Sequence, residues 1–301
     1  MDIMDILNTG ICTPLFELKS FGEPERGVKV FGKGEFLNIS GSVKDRAAKA
    51  MIKDGLKKGL LTKDKTIIDA TSGNTGIAYA MLGAALGIRV KLYMPGNVTE
   101  ERRRMMRAFG AQTVLTSPLE GMEGAYKAVN YEVDSGPEKY FYPDQYTNPK
   151  NWQAHYDGTA LEILEQTGGR LTHFVSGTGT SGTFMGCTKR FKETDPGIVC
   201  CNMTPDSPFH GIEGVKYERA LLELGFYDPQ ISDGSITVTT ETAYEYTRRL
   251  SRQEGLFVGI SAGANVAAAQ ELARTAPDGS VIVTVLCDVG CRYLSTGVWD
   301  G

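Results

Sequence analysis

The sequence has little of what acid–base and metal chemistry most often needs. It carries three histidines, His155, His173 and His210. They are scattered, and all three are read as structural. Its six cysteines contain no C-x-x-C pair. Cys287 and Cys291 lack a second pair and a nearby histidine, which argues against a zinc site. Cys200 and Cys201 lie in the apolar run from Ile198 and read as small buried hydrophobes. Charge of one sign is also missing. Lys plus Arg is 32 against 36 Asp plus Glu, a net charge of −4, so no electrostatic footprint for nucleic acid exists. The longest nearly apolar run, Ile77 to Ile88, is far short of the about 20 residues a membrane span needs. Asp2 and Asp5 stand where a signal peptide would carry basic residues. A cytoplasmic protein with no membrane and no nucleic-acid partner is therefore expected.

What is present is ordinary globular material. Hydrophobic residues make up 41% and charged residues 23%, which excludes a largely disordered chain. At roughly 150 residues per domain, 301 residues suggest two domains or one large α/β unit. A chain of this size buries about 75% of its unfolded surface and needs no disulfide or structural metal. Glycine is plentiful, at 36 residues, and its placement is informative.

Short β-rich runs alternate with helical patterns. Strands are expected at 66–70, 89–94, 113–116, 139–142, 173–176, 198–203, 235–240 and 281–286. Helices are expected at 75–86, 99–109, 119–131, 151–166, 183–192, 241–254 and 262–273. This alternation predicts an α/β protein with mostly parallel sheets covered by helices. Ligands in such folds bind at the carboxyl ends of the strands, on the strand-to-helix loops. Pro205 to Gly234 breaks the pattern and is the longest irregular stretch.

Three strand-to-helix loops are rich in small and hydroxyl residues. Ala70-Thr71-Ser72-Gly73-Asn74-Thr75-Gly76 offers hydroxyls, an amide and free backbone N–H groups at a helix start, which suits a carboxylate or phosphate. A plain N-cap with turn glycines explains it equally well. Ser176-Gly177-Thr178-Gly179-Thr180-Ser181-Gly182-Thr183 has more such residues than a turn requires and reads as an anion site. Thr183 stands where a Walker loop would need lysine. Gly259 to Ala264 is explained by an N-cap at Ser261. Upstream, Gly41-Ser42-Val43-Lys44-Asp45-Arg46 puts Lys44 in the first turn of a helix, where the macrodipole disfavours a cation. A solvated ion pair and a Schiff-base lysine both remain open on local grounds.

Taken together, Gly41–Arg46, Thr71-Ser72-Gly73-Asn74-Thr75-Gly76, the Gly179 loop and Ser261 resemble, in order and spacing, the cysteine synthase family of pyridoxal-phosphate enzymes. The resemblance runs from about Thr13-Pro14-Leu15 to Tyr293-Leu294-Ser295-Thr296. It implies the tryptophan synthase β-like fold (fold type II), with two domains, each a mostly parallel sheet flanked by helices. Residues 1–40 plus 148–301 would form the larger, cofactor-binding domain. Residues 41–147 would form a smaller mobile domain carrying the Lys44 and Asn74 loops. The implied cofactor is pyridoxal 5′-phosphate, held by Lys44 as an internal aldimine. Asn74 would bond the ring hydroxyl oxygen, and Gly179, Thr180, Ser181, Gly182 and Thr183 would form the phosphate cup. Ser261 would partner the pyridine nitrogen, and Thr71, Ser72, Thr75 and Gln145 would bind the substrate α-carboxylate. A neutral serine cannot hold a pyridinium, which favours expulsion of a β-leaving group over transamination. Lys44, once freed, is placed to act as general base.

The implied activity is β-replacement. L-cysteine would be made from O-acetylserine or O-phosphoserine and sulfide or a thiocarboxylate donor, through an aminoacrylate intermediate. Condensation of serine with homocysteine, as in cystathionine β-synthases, is the alternative. Implied partners are a small amino-acid substrate, a second copy in a homodimer, and a serine acetyltransferase or sulfur-carrier protein. Ile39 departs from the proline common in the family. No haem-binding or regulatory extension is expected after Ser295-Thr296. Lys216 and Arg219, three apart, would share a face on a helical turn, and Arg219 could grip a phosphate leaving group. One remote rival remains. Gly177-Thr178-Gly179-Thr180-Ser181-Gly182 also matches the dinucleotide fingerprint, with Asp206 downstream. An NAD-dependent oxidoreductase leaves Lys44 and Asn74 unexplained.

Overall fold

The computed structural model describes residues 12–71, 73–217 and 225–301. Contacts divide these into two units. One is Lys44–Asn151, and the other combines Cys12–Val43 with Trp152–Gly301. The breaks fall a few residues beyond the expected 40 and 147.

The chain enters the larger unit through two strands, β1 (Leu15–Glu23) and β2 (Val28–Lys33). They pair antiparallel with an irregularity between Glu17 and Gly22. Neither strand is expected from the sequence. β1 interleaves Glu17, Lys19 and Gly22 with its apolar residues, so no clean period of two survives. β2 ends on Lys33, which is fully buried. Its ammonium donates to Thr13 O at 2.6 Å and Gln166 Oε1 at 2.9 Å, and pairs with Glu162 at 2.6 Å. Those partners make a buried lysine tolerable.

The smaller unit follows: α1 (Lys44–Lys57), β3 (Thr66–Ala70), α2 (Asn74–Leu86), β4 (Arg89–Pro95), α3 (Glu100–Ala108), β5 (Gln112–Thr116), α4 (Gly121–Ser135) and β6 (Tyr140–Phe141). Its sheet has the order β5-β4-β3-β6 and every pairing is parallel. β3 reads Thr-Ile-Ile-Asp-Ala and is buried from Ile67 to Ala70, as a central parallel strand covered on both faces must be. From α4, the Glu132 carboxylate accepts from Lys91 and from the hydroxyls of Tyr93 and Tyr140. One acid thus ties the helix to two strands.

The chain then returns to the larger unit. The single helix expected over 151–166 is α5 (Lys150–Ala154), a π-helical turn (His155–Thr159) and α6 (Ala160–Gln166). After these come β7 (His173–Gly177), α7 (Gly182–Thr194), β8 (Val199–Pro205), β9 (Gly234–Val238), α8 (Thr240–Glu254), α9 (Ile260–Thr275) and β10 (Val281–Val285). The six-stranded sheet runs β1-β2-β10-β7-β8-β9 and is parallel apart from β1. Two mostly parallel sheets flanked by helices are the architecture expected. Among the described residues, β10 and β7 pair only at Ile282 with His173 and Val283 with Phe174. Beyond that point Thr284 Oγ1 donates to Val175 O at 2.7 Å, so a side chain takes over where main-chain pairing stops.

α9 lies unusually close to α8. A Cβ on Gly263 would sit 2.1 Å from Thr247 Oγ1 and 2.4 Å from Ala243 O, so only glycine allows this approach. No helix among the described residues is long and apolar enough to cross a membrane. The six cysteines are free. No cluster among the described residues has the three His, Cys, Asp or Glu groups needed for a metal.

Candidate active site

In the smaller unit, Lys44 is the first residue of α1. Thr71 follows β3, and its backbone N–H is held by Tyr93 O at 3.0 Å. Asn74 opens α2, whose N-cap is Gly73 with no side-chain capping bond. Thr75 and Gln145 are 70 residues apart in sequence, yet Thr75 Oγ1 donates to Gln145 Oε1 at 2.7 Å, both buried. Asn151 Nδ2 fixes the Gln145 carbonyl at 2.6 Å. With its oxygen engaged, the Gln145 amide presents Nε2 as its donor. Ser72 lies outside the described residues.

Just below this loop, Asp69 is fully buried. Burial pushes its carboxyl up to about 8, and nearby Asp144 adds to the rise; the Tyr79 hydroxyl and the Ala70 N–H pull the other way. The Ala70 N–H donates to Asp69 Oδ1 at 2.7 Å. Tyr79, Tyr142 and Tyr146 nearby are also raised, chiefly by burial. No local pattern marks this buried acid, because Asp69 falls inside an apolar strand run.

In the larger unit, the second loop leaves β7 and enters α7. Ser176 Oγ, Thr178 Oγ1 and Ser181 Oγ are buried with no hydrogen-bond partner among the described residues. Ser181 holds the N-cap position of α7 in a left-handed conformation, φ +67°, and makes no side-chain cap. A Cβ on Gly179 would come within 2.1 Å of Gly214 O. Lys216 N–H donates to Thr178 O at 2.8 Å, so the irregular segment packs on the loop through its backbone. Thr183 Oγ1 is 3.3 Å from His155 Nε2, and His155 Nδ1 is 2.9 Å from Thr159 Oγ1. The π turn that delivers His155 had no sequence signal. Residues 210–217 contain no helix, which removes the helical face proposed for Lys216. Arg219 lies outside the described residues.

Ser261 is the second residue of α9, one position inside the helix. The N-cap is Gly259, whose N–H donates to Asp288 O at 2.9 Å and whose carbonyl accepts from Ala262 at 3.1 Å. The N-cap reading of Ser261 is therefore corrected. In each of the three loops the helix starts without a capping side chain.

Helix starts normally consume nearby hydroxyls, since Ser and Thr caps are worth about 0.5–2 kcal/mol. A buried hydroxyl without a partner costs about 1–3 kcal/mol. Three of them in one loop, at the N-terminus of a 13-residue helix, fit a ligand with several acceptor oxygens and negative charge. A phosphate ester meets both conditions.

The parallel sheets and the hydroxyl-lined loop after β7 fit a protein that binds a phosphorylated ligand at a strand carboxyl end, whereas the third loop joins α8 to α9. The family model described as "Pyridoxal-phosphate dependent enzyme" matches residues 6–288. A cysteine synthase of Aquifex aeolicus is 48% identical over 96% of this chain and 90% of its own. Cysteine synthase B of Salmonella typhimurium is 41% identical over 95% of this chain and 93% of its own. The crystal structure of cysteine synthase from Entamoeba histolytica superposes with a TM-score of 0.92 at 36% identity, covering 98% of this chain and 90% of that one. The chain belongs to the pyridoxal-phosphate-dependent enzyme family, within its cysteine synthase branch.

Proposed function

We propose that the protein makes L-cysteine by β-replacement, exchanging the acetate of O-acetylserine for sulfur. The observation that carries this reading is the near-full-length identity to the Aquifex aeolicus cysteine synthase. The partnerless hydroxyls of the second loop support the cofactor assignment. Bound pyridoxal phosphate supplies an electron sink for charge that develops at the substrate α-carbon.

The chain's own residues do the rest. Lys44 would hold the cofactor through Nζ, and the same Nζ would take the α-proton of the substrate. Asn74 bonds the ring hydroxyl oxygen. Gly179, Thr180, Ser181, Gly182 and Thr183 hold the phosphate with backbone N–H groups and hydroxyls. Ser261 meets the ring nitrogen without a negative charge, so it does not stabilise a proton there. Thr71, Ser72 and Gln145 bind the α-carboxylate, and Thr75 does so through its backbone N–H, because its hydroxyl proton is given to Gln145 Oε1. The Thr75–Gln145 bond orients the amide so that Nε2 can donate to that carboxylate. Arg219 is the residue assigned to a phosphate leaving group. The same reading carries a cytoplasmic homodimer, with free sulfide or a carrier thiocarboxylate as sulfur source and a serine acetyltransferase as partner.

The test is a side-by-side measurement on the purified protein. O-acetylserine, O-phosphoserine and serine are each offered with sulfide and with homocysteine, and the products are identified. O-acetylserine with sulfide is expected to give the highest kcat/KM. Lys44→Ala is expected to lose turnover and the yellow absorbance of the covalently held cofactor. Faster cystathionine than cysteine formation, or a yellow and active Lys44→Ala, contradicts the proposal.

A further inference from the structure

We propose that Asn265 is a positioning residue that sets the phosphate loop at its correct height by standing in for a missing stretch of main-chain pairing. The inference rests on the reading of Gly179–Thr183 as the phosphate cup.

Asn265 is a lone polar side chain in the run Ala262-Gly263-Ala264-Asn265-Val266-Ala267-Ala268-Ala269. It is 1% exposed. A buried amide costs free energy unless its polar atoms are met, and here they are. Oδ1 accepts from Gly177 N–H at 2.8 Å, and Nδ2 donates to Val285 O at 2.7 Å. Nδ2 also lies 3.4 Å from Cys287 Sγ. The partners fix which end of the amide is oxygen, because Gly177 offers only a donor and Val285 only an acceptor.

The two partners are the last residues of β7 and β10. These are the strands whose pairing stops at Val283 and Phe174. A strand-to-strand peptide link would otherwise be expected across that gap. Thr284 bridges its near end through Val175 O, and Asn265 bridges its far end. Gly177 is the residue from which the phosphate loop departs. Its position is further confined, since a Cβ there would meet Met203 Cε at 2.6 Å and Val215 Cγ1 at 2.8 Å.

Asn265 also stands four residues after Ser261 on α9. Residues at i and i+4 share a helix face. The amide therefore fixes the helix that bears the proposed ring-nitrogen partner to the strand end that launches the proposed phosphate cup. Its role is to set the spacing between the two, and it touches no reacting atom.

The test uses the 31P resonance of bound cofactor phosphate and the dissociation constant of pyridoxal phosphate. Asn265→Ala is expected to shift or broaden the resonance and to weaken cofactor binding about tenfold, as loss of the buried bond that holds the loop at Gly177 implies. Thr284→Val removes the other bridge of the same gap and is expected to leave the resonance in place. Should Asn265→Ala fail to fold, Asn265→Ser reaches neither partner and must show the same shift. An unmoved resonance in the Asn265 variant, or an equal shift in Thr284→Val, overturns the proposal. Thr183→Ala separates the two levels. If it moves the signal while the Asn265 variant does not, the positioning role alone fails. If it leaves the signal unmoved, the phosphate is not in this loop, and both readings fall.

Discussion

Asp69 occupies the penultimate position of β3, and no part of the proposed chemistry uses it. Its carboxyl rises to about 8 in the folded protein from an ordinary 3.8, first because burial disfavours the charge. The sign follows from proton counting. Between about pH 4 and 8 the folded state holds a proton there that the unfolded state has released, so stability falls as pH rises through that window. Each pH unit inside it is worth about 1.4 kcal/mol. Asp69→Asn keeps the acceptor for Ala70 N–H and removes the titration. The variant is expected to match wild type near pH 4 and to melt several degrees higher near pH 7.5. Thermal unfolding of both proteins across that range measures it. Parallel curves for the two would show that Asp69 does not titrate in this way.

At the scale of elements, the three loops share a design in which the helix begins on a residue that makes no side-chain cap. In the second loop, Ser176, Thr178 and Ser181 keep buried hydroxyls with no partner among the described residues, where the cofactor phosphate is proposed to bind. Gly179 is as tight as any glycine in these loops, and what stands where its side chain would be is the backbone oxygen of Gly214. A backbone atom cannot rotate aside, so Gly179→Ala must displace the loop. Overpacking of this kind costs about 1–3 kcal/mol, which as lost cofactor affinity is about 5- to 150-fold. Equilibrium binding of pyridoxal phosphate reads this out; wild-type affinity in the variant contradicts it. Most helices and parallel strands were legible in the sequence because their apolar residues recur at the right period, as in β3 and α2. The loops were legible because Gly, Ser and Thr cluster between those elements. What stayed hidden depends on contacts far apart in sequence. β1 and β2 carry mixed polarity that only a buried lysine and its partners explain. The π turn at His155 reads as ordinary helix until Thr183 is seen beside it. Thr75 meeting Gln145 and Asn265 meeting Gly177 are pairings that no local pattern announces.

At the scale of the whole molecule, among the described residues the larger unit is assembled from two separate stretches of chain, whereas the smaller one is the continuous stretch Lys44–Asn151. Lys29 and Val30 of β2 lie beside Val281 and Ile282 of β10, a pairing that closes a loop of about 250 residues and so is entropically slow. During synthesis, β2 leaves the ribosome long before its neighbour exists. The stretch between them completes its own four-stranded sheet from local βα units, which need no late partner. Biogenesis is therefore expected to be ordered, with the inserted unit maturing first and the interrupted sheet closing last. Pulsed hydrogen exchange during refolding tests this order. Amides of β3 and β4 should gain protection before those of β2 and β10, and simultaneous protection of all four strands would contradict it. Until that closure, β2 keeps an unpaired edge, the surface on which a nascent chain of this design most needs shelter from its neighbours.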